Sequence, residues 1–312
     1  MGAVIWAAFF NFLAFFIAKY ITGFGIVDTV SKIVIPDVVG KHLMLYVVLA
    51  GLMAAITWNL FTWWSGIPSS SSHTLIGGFA GAGIAVGGFH AIHASIIGRI
   101  SLFIVLAPII GMLAGMLFTS LTLHIARHVK PHKADKWFKR LQLLSSALLS
   151  IGHGLNDTQN MMGIMVVALI AFNESAVVDT SSIPDFLQMT SLSDGIHDWV
   201  PMLCYFAIAC GTLSGGWKIM KTMGSRITKI TPVEGFCAET ASALTLFLTE
   251  ALHIPVSTTH VVSGSIMGVG ATKRLSAVRW GVSMELIVAW VITIPISALL
   301  GMLYYSIITL FI

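Results

Sequence analysis

Residues 254–270 read IPVSTTHVVSGSIMGVG, and residues 67–83 carry nearly the same phrase, IPSSSSHTLIGGFAGAG. Eight positions match at an offset of 187: Ile67 with Ile254, Pro68 with Pro255, Ser70 with Ser257, Ser71 with Thr258, Ser72 with Thr259, His73 with His260, Gly77 with Gly264 and Gly81 with Gly268. Each phrase predicts a helix start, because Pro ends the preceding helix and Ser or Thr supplies an N-cap. Eight matches in register are hard to reach by chance.

The chain around these phrases is too apolar for a soluble fold. Of its 312 residues 56% are hydrophobic and 10% are charged, and the mean hydropathy is +0.90. We therefore predict an all-α, polytopic membrane protein. Stretches of spanning length lie at 1–18, 43–64, 100–121, 200–217, 236–252 and 282–312. The stretch 141–172 is too long for a single span, and we expect it to be broken.

The distribution of basic residues predicts the orientation. Of the 17 Lys and Arg residues, 13 lie in the loops 122–140, 217–234 and 272–280. The positive-inside rule places these loops in the cytoplasm, at a plasma (inner) membrane. Loop 173–199 is acidic and has no Lys or Arg, so we place it outside. We interpret the basic patch of 122–140 as a topology signal against anionic lipid and not as a nucleic-acid site.

Tracing the chain through these spans gives the two phrases opposite directions across the membrane. We therefore predict an inverted-topology repeat with discontinuous or re-entrant helices. The first repeat is 1–121, the basic cytoplasmic loop is 122–140, and the second repeat is 141–312. Transporters built in this way place the substrate near the midplane, between matching broken helices.

The runs of hydroxyl residues favour an anion site at these helix starts. Four consecutive hydroxyls exceed what capping needs, and N–H groups at a helix N-terminus attract negative charge. Plain capping of two helices that begin inside the membrane is the alternative. Hydrogen phosphate needs many donors to replace its water. The candidate donors are Ser70, Ser71, Ser72, Asn156, Gln159, Ser257, Thr258 and Thr259.

A carboxylate interrupts the apolar stretch 150–170, which reads SIGHGLNDTQNMMGIMVVALI. A charge at mid-membrane costs about 2.5 to 3.5 kcal/mol on insertion scales, so Asp157 needs a partner or a function. Capping of a helix that starts at Thr158 is the structural alternative. Asp157 could bind Na⁺ or a proton, and it could accept a hydrogen bond from the P–OH group that sulfate lacks.

Other polar residues are further candidates for coupling. We predict that Asn156 and Glu239 join Asp157 in binding the cation, although a hydrogen bond or salt bridge to a neighbouring helix explains Glu239 equally well. His73 and His260 close the hydroxyl runs and are candidate proton carriers. A histidine that donates to a nearby carbonyl is the alternative.

Four phrases together resemble the PiT family of inorganic phosphate transporters over most of the chain: PSSSSHTLIGG (68–78), GHGLNDTQNMMG (152–163), GGWKIMKTMG (215–224) and PVSTTHVVSGSIMGVG (255–270). The resemblance implies a membrane carrier for inorganic phosphate that is driven by a sodium or proton gradient. It also implies two inverted repeats, each with one Asn-Asp motif. The offset of 187 places the partner of Asn156 at position −31, before Met1. We interpret this as a truncation by a few tens of residues, with a half-site variant as the alternative.

We therefore expect cation-coupled phosphate symport by alternating access. The expected partners are inorganic phosphate, a monovalent cation, the lipid bilayer and a second copy in a homodimer, with no nucleic acid. We expect that the protein is not an enzyme and that it has no catalytic residues, no metal site and no resident cofactor. Two alternatives remain: a passive anion channel, and an intramembrane hydrolase that uses Ser72 or Ser257 with a histidine and Asp157.

Overall fold

The computed structural model describes residues 1–174 and 183–311. Its α-helices are α1 (Gly2–Ile17), α2 (Gly25–Ser31), α3 (Pro36–Val39), α4 (Lys41–Ser65), α5 (Ser71–Gly87), α6 (Ala94–Ala126), α7 (Pro131–Glu174), α8 (Trp199–Ser214), α9 (Trp217–Lys221), α10 (Pro232–Ala251), α11 (Thr258–Lys273) and α12 (Trp280–Ile308). Within the described ranges, β-structure is limited to one isolated bridge, between Val34 and Ile92. The all-α prediction is confirmed.

Six of these helices are long and apolar enough to cross a membrane: α1 with its extension to Thr22, α4, α5 with its extension to Ala91, α6, α7 and α12. A seventh span is formed if α8 and the segment Trp217–Arg226 count as one, although they meet at a bend of 69°. Apolar side chains such as Leu117 and Leu299 are exposed, as expected on surfaces that face lipid.

The expectation that 141–172 is broken is wrong, because α7 is continuous over 44 residues. Its polar side chains bond within the helix or to neighbours: Asn160 Nδ2, for example, donates to Asn156 O at 3.3 Å. Gly154 lies so close to α1 that a Cβ there would come within 2.7 Å of Asn11 O. Glycine and polar residues thus serve packing here and do not end the helix. At about 66 Å, α7 extends beyond the hydrocarbon core.

The three basic segments meet at one end of the bundle, called the basic end below. Lys273 forms an ion pair with Glu234, and Arg279 N donates to Ile227 O at 2.9 Å. The predicted loop 122–140 is nevertheless mostly helical, because α6 and α7 leave only 127–130 between them. At the opposite end, Lys41 pairs with Glu174 at 2.9 Å.

The segment α10 to α11 is a hairpin that enters from the basic end. α10 runs beside α7, with Gly235 next to Gln142 and Leu246 next to Gly152. The chain turns where Val256 N donates to Asn156 Oδ1 at 3.3 Å, about 27 Å short of the end of α7. The prediction that 236–252 crosses the membrane is therefore wrong. The matching hairpin, α4 to α5, enters from the opposite end.

Each hairpin packs on a helix from the other half of the chain. Gly77 and Gly81 of α5 lie against α12, where a Cβ on Gly81 would overlap Ala298 O. Gly264 and Gly268 of α11 lie against α6 in the same way. Small residues permit this close approach of helix backbones in lipid.

The helices that receive the hairpins share a further match that the sequence analysis missed. Pro108 lies inside α6 and Pro295 inside α12, again 187 positions apart. A Cβ on Gly264 would overlap Pro108 O, and a Cβ on Gly77 would lie 2.8 Å from Ile294 O. Each matched glycine therefore packs at or beside the matched proline of its partner helix.

Candidate functional site

The tips of the two hairpins meet inside the bundle. The rings of His73 and His260 lie 4.9 Å apart between centroids, and Thr259 Oγ1 donates to Ser69 O at 3.3 Å. From this meeting point α11 runs to the basic end, where Lys273 lies. α5 runs to the opposite end, where Gly87 packs on Val38. Two helix N-termini are thereby directed at one region from opposite sides.

The first hydroxyls of the two phrases are N-caps. Ser70 Oγ accepts from His73 N at 3.1 Å, and Ser257 Oγ accepts from His260 N at 3.3 Å. Both serines are buried. Capping, the alternative interpretation of the hydroxyl runs, therefore accounts for these two residues and leaves the hydroxyls that follow them.

The next hydroxyls share one partner, Asp157 of α7. Ser71 Oγ donates to Asp157 Oδ2 at 3.5 Å, and Thr258 Oγ1 lies 3.3 and 3.2 Å from the two carboxylate oxygens. Ser71 and Thr258 are equivalent positions of the two phrases. The Asp157 side chain is only 10% exposed, and the dipoles of two helix starts favour a negative charge there. These contacts supply the polar partners that a carboxylate needs at this depth in the membrane.

A polar chain continues from Asp157 into α1 and α8. His153 Nε2 lies 3.4 Å from Asp157 Oδ2, and His153 Nδ1 lies 3.0 Å from Asn11 Oδ1. Asn11 Nδ2 donates to Thr212 Oγ1 at 3.0 Å, and that hydroxyl donates to Ile208 O at 2.8 Å. The Thr212 hydroxyl donates its only proton to Ile208 O, so it can only accept from Asn11. The amide nitrogen of Asn11 therefore faces Thr212, and its amide oxygen faces His153. Nδ1 of His153 is therefore the protonated donor.

Beside Asp157 lies a cavity of about 130 Å³ between α4, α5 and α7. Its polar wall consists of Asn59, Ser71, Ser72, Asp157 and Asn160, and the rest is apolar. Asn160 Nδ2 donates to Ser72 Oγ at 2.9 Å, whereas the buried Asn160 Oδ1 has no partner in the described chain. The sequence analysis missed Asn160, although it lies one helical turn after Asn156.

Two predicted donors lie on other faces of α7. Asn156 Oδ1 accepts from Val256 N at the α11 hairpin, and Gln159 Oε1 accepts from Ile26 N at 3.0 Å. Both residues are fully buried, and neither Asn156 Nδ2 nor Gln159 Nε2 has a partner among the described residues. Neither lines the cavity beside Asp157. They leave two buried amide donors, one turn apart, free for a ligand.

The remaining candidates fall into two groups. His73 and His260 lie at the centre of the hairpin contact, both at most 1% exposed, and His260 packs on the indole of Trp290 with centroids 4.2 Å apart. Glu239 lies elsewhere: it accepts from Ser145 Oγ at 2.6 Å, about 18 Å along α7 from Asp157. The structure does not bring Glu239 to the site, and its hydrogen bond to a neighbouring helix matches the alternative interpretation.

Asn11 and His153 were not predicted as site residues from the sequence. Asn11 is a lone amide in the apolar run AAFFNFLAFF (7–16), and His153 lies one turn before Asp157. Both signals were present in the sequence, but their connection is tertiary. A hydrolase triad is not formed in the described chain, because Ser72 Oγ pairs with Asn160 and Ser257 Oγ with a backbone N–H.

Comparison with known proteins identifies the family of this chain. The phosphate transporter family matches residues 1–301. A probable low-affinity inorganic phosphate transporter of Rhizobium meliloti is 45% identical over 307 residues, covering 97% of this chain and 84% of the relative. One of Bacillus subtilis is 42% identical over 311 residues, covering 99% and 86%.

The fold has a solved counterpart. A structure described as the sodium-dependent phosphate transporter matches with a TM-score of 0.81 and 24% identity, covering 99% of this chain and 90% of that one. The relatives are transporters and not enzymes, so the hydrolase alternative is set aside. The resemblance inferred from the four phrases is confirmed: this chain is a multi-pass membrane protein of the phosphate transporter family.

Proposed function

We propose that the protein moves inorganic phosphate across the membrane together with a monovalent cation, sodium or a proton, by alternating access. The observation that carries this proposal is the sharing of Asp157 by Ser71 and Thr258, equivalent residues on two helices that meet tip to tip. The names of the relatives support phosphate as the substrate, and that of the structural neighbour supports a cation.

The donors around the hairpin tips suit a dehydrated oxyanion. Asn156 Nδ2 and Gln159 Nε2 are buried without partners, and each would gain a hydrogen bond from a phosphate oxygen. Ser71, Ser72, Thr258 and Thr259 add hydroxyls, whereas Ser70 and Ser257 contribute by fixing the helix starts. Hydroxyls that now donate to Asp157 can turn to phosphate once a cation neutralises the carboxylate.

The polar chain from Asn11 supports a cation at Asp157. With the proton of His153 fixed on Nδ1, a neutral ring would aim the Nε2 lone pair at a carboxylate oxygen 3.4 Å away. Two acceptors at this distance repel unless a positive charge lies with them. A proton or a sodium ion supplies that charge. A co-transported cation would also lower the cost of burying the phosphate dianion.

The hairpin tips offer a place for alternating access. Thr222 Oγ1 donates to Gly66 O at the first tip, and Thr29 Oγ1 donates to His253 O at the second, at 3.3 and 3.1 Å. Gly66 and His253 are 187 positions apart, so a threonine hydroxyl holds the equivalent carbonyl at each tip. We take 1–121 and 141–312 as the two repeats. In alternating access, the hairpin tips of these repeats would exchange arrangements with each other.

We place the protein in the plasma (inner) membrane, with the basic end in the cytoplasm and loop 173–199 outside. In the described part of this loop, Asp198 pairs with Lys19 at 2.7 Å. No resident cofactor is needed, because the cation travels with the substrate.

Uptake of labelled phosphate into proteoliposomes tests the proposal. An imposed sodium or proton gradient should drive phosphate above its equilibrium level, and collapse of that gradient by an ionophore should release it. Equilibration without accumulation under both gradients would establish the passive anion channel. The variant Asp135→Asn, at the exposed i,i+4 pair with Lys139, is a control that leaves the site intact.

A further inference from the structure

A second cavity, of about 800 Å³, lies at the basic end and is separate from the polar chain around Asp157. Its walls are the turn at Gly66 to Pro68, the π-helix Thr222–Arg226, and the first half of α12 from Gly281 to Ile292. These walls come from both halves of the chain.

The cavity spans the depth of one lipid leaflet. Trp280 and Trp217, which begin α12 and α9, are both exposed, as is typical of the membrane interface. From Gly281 to Ile292 the α12 wall extends about 17 Å, close to half of the roughly 30 Å hydrocarbon core. The mouth of the cavity therefore lies at headgroup level, and its far end lies near the midplane.

The wall along α12 is open to the bilayer. Met284, Val288 and Ile292 recur every four residues and are exposed by 59%, 52% and 39%. Because these side chains both line the cavity and are exposed, we expect the row to face lipid and an acyl chain to enter sideways. The α12 row itself offers no hydrogen-bond donors to a small anion, because its side chains are apolar.

Two opposite charges lie in the polar part of the cavity. Arg226 and Glu285 both line it and both are exposed, and neither takes part in an ion pair within the described chain. Arg226 suits a phosphate group, which binds guanidinium through paired hydrogen bonds. Glu285 suits an ammonium group and would repel a purely anionic headgroup.

We propose that this cavity binds a zwitterionic phospholipid with a primary amine in its headgroup, of the phosphatidylethanolamine class. The lipid phosphate pairs with Arg226, the ammonium pairs with Glu285, and one acyl chain lies along Val288 and Ile292. Such a lipid contacts Pro68, two residues before the Ser70 N-cap, so its presence would restrain the first hairpin tip. Only this last consequence rests on the proposed function; the lipid site does not.

Native mass spectrometry of the purified protein with added lipids tests the site. Phosphatidylethanolamine and phosphatidylglycerol with matched acyl chains are compared on four variants. Glu285→Gln should weaken phosphatidylethanolamine binding about tenfold and strengthen phosphatidylglycerol binding, whereas Arg226→Gln should weaken both. Ala289→Trp should block both lipids by filling the cavity. Arg274→Gln, an exposed arginine at the same end but outside the cavity, is the control for lost basic charge.

Three outcomes would overturn the proposal. The first is equal binding of the two lipids to the wild type, and the second is an effect of Arg274→Gln as large as that of Arg226→Gln. The third is displacement of bound lipid by millimolar inorganic phosphate, which would make the cavity part of the phosphate path. Because Arg226→Gln and Glu285→Gln change exposed side chains, their readout does not depend on the folding of Ala289→Trp.

Discussion

Ser71 and Thr258, 187 positions apart in the chain, donate hydrogen bonds to the same carboxylate, that of Asp157. Asp157, on α7, thus links the first turns of α5 and α11, whose hairpins enter the bundle from opposite ends. Any movement that separates the hairpins must break at least one of these bonds. The hydrogen bonds of this carboxylate therefore depend both on the ligand and on the arrangement of the two halves.

Asp157→Asn should change the choice of anion. The amide keeps the shape of the side chain and can still accept from one hydroxyl, but it is a poorer acceptor for the P–OH group that sulfate lacks. Sulfate should then inhibit phosphate uptake at a concentration about tenfold lower than in the wild type. Inhibition by sulfate that is unchanged from the wild type would refute this role. Asp135→Asn serves as the control.

Asn11 should act through His153. Asn11→Leu removes the acceptor that fixes the His153 proton on Nδ1, so Nε2–H can donate to Asp157 without any added cation. We expect the half-saturating concentration of the coupling cation to rise about tenfold. Asn11→Gln keeps a neutral amide oxygen for His153 and should stay closer to the wild type than Asn11→Leu in this measurement. Equal effects of the two variants would show that Asn11 only packs.

The glycines at the reciprocal helix contacts should be intolerant of a methyl group. A Cβ at Gly81 or Gly268 would overlap the carbonyl of Ala298 or Met112, so each Ala variant should lose about 1 to 3 kcal/mol of stability. Gly211→Ala is the matched control, because nothing lies within 4 Å of a Cβ there. Thermal unfolding in detergent gives the comparison. A stable Gly268→Ala protein would mean that α6 and α11 are not in close contact.

The two hairpin turns should respond oppositely to substitution. Gly66 has a φ of 72° and His253 a φ of 54°, both left-handed. Gly66→Ala should destabilise the protein by about 1 to 2 kcal/mol, whereas His253→Gly should remove the same strain. Thermal unfolding temperatures should therefore fall for the first variant and hold or rise for the second. The reverse order would contradict equivalent turns.

The sequence predicted the hairpin tips better than the paths that lead to them. The phrases at 67–83 and 254–270 specify local chemistry, Pro to stop a helix and Ser to cap the next, and local chemistry can be read from sequence. Hydropathy, in contrast, records only length and apolarity. It could not tell α10, which turns back level with Asn156, from a helix that crosses.

The errors within α7 have a related cause. The stretch 141–172 exceeds the length of one span, which suggested a break. In the fold the helix extends beyond the hydrocarbon core instead, its glycines admit neighbouring helices, and Asn156 accepts a hydrogen bond from the second hairpin, contacts that only tertiary packing specifies. The position of Glu239 could not be predicted from the sequence, because it too depends on tertiary packing. Only the neighbouring helix fixes its bond to Ser145, about 18 Å from the carboxylate it was expected to assist.

The most direct test of a joint site is a double-mutant cycle on phosphate binding with Ser71→Ala, Thr258→Val and the double variant. If the two hydroxyls act on one ligand and one carboxylate, their effects on the phosphate dissociation constant should be non-additive by about 0.5 kcal/mol or more. Strictly additive effects would mean that the hairpin tips act independently, and would contradict a shared phosphate site.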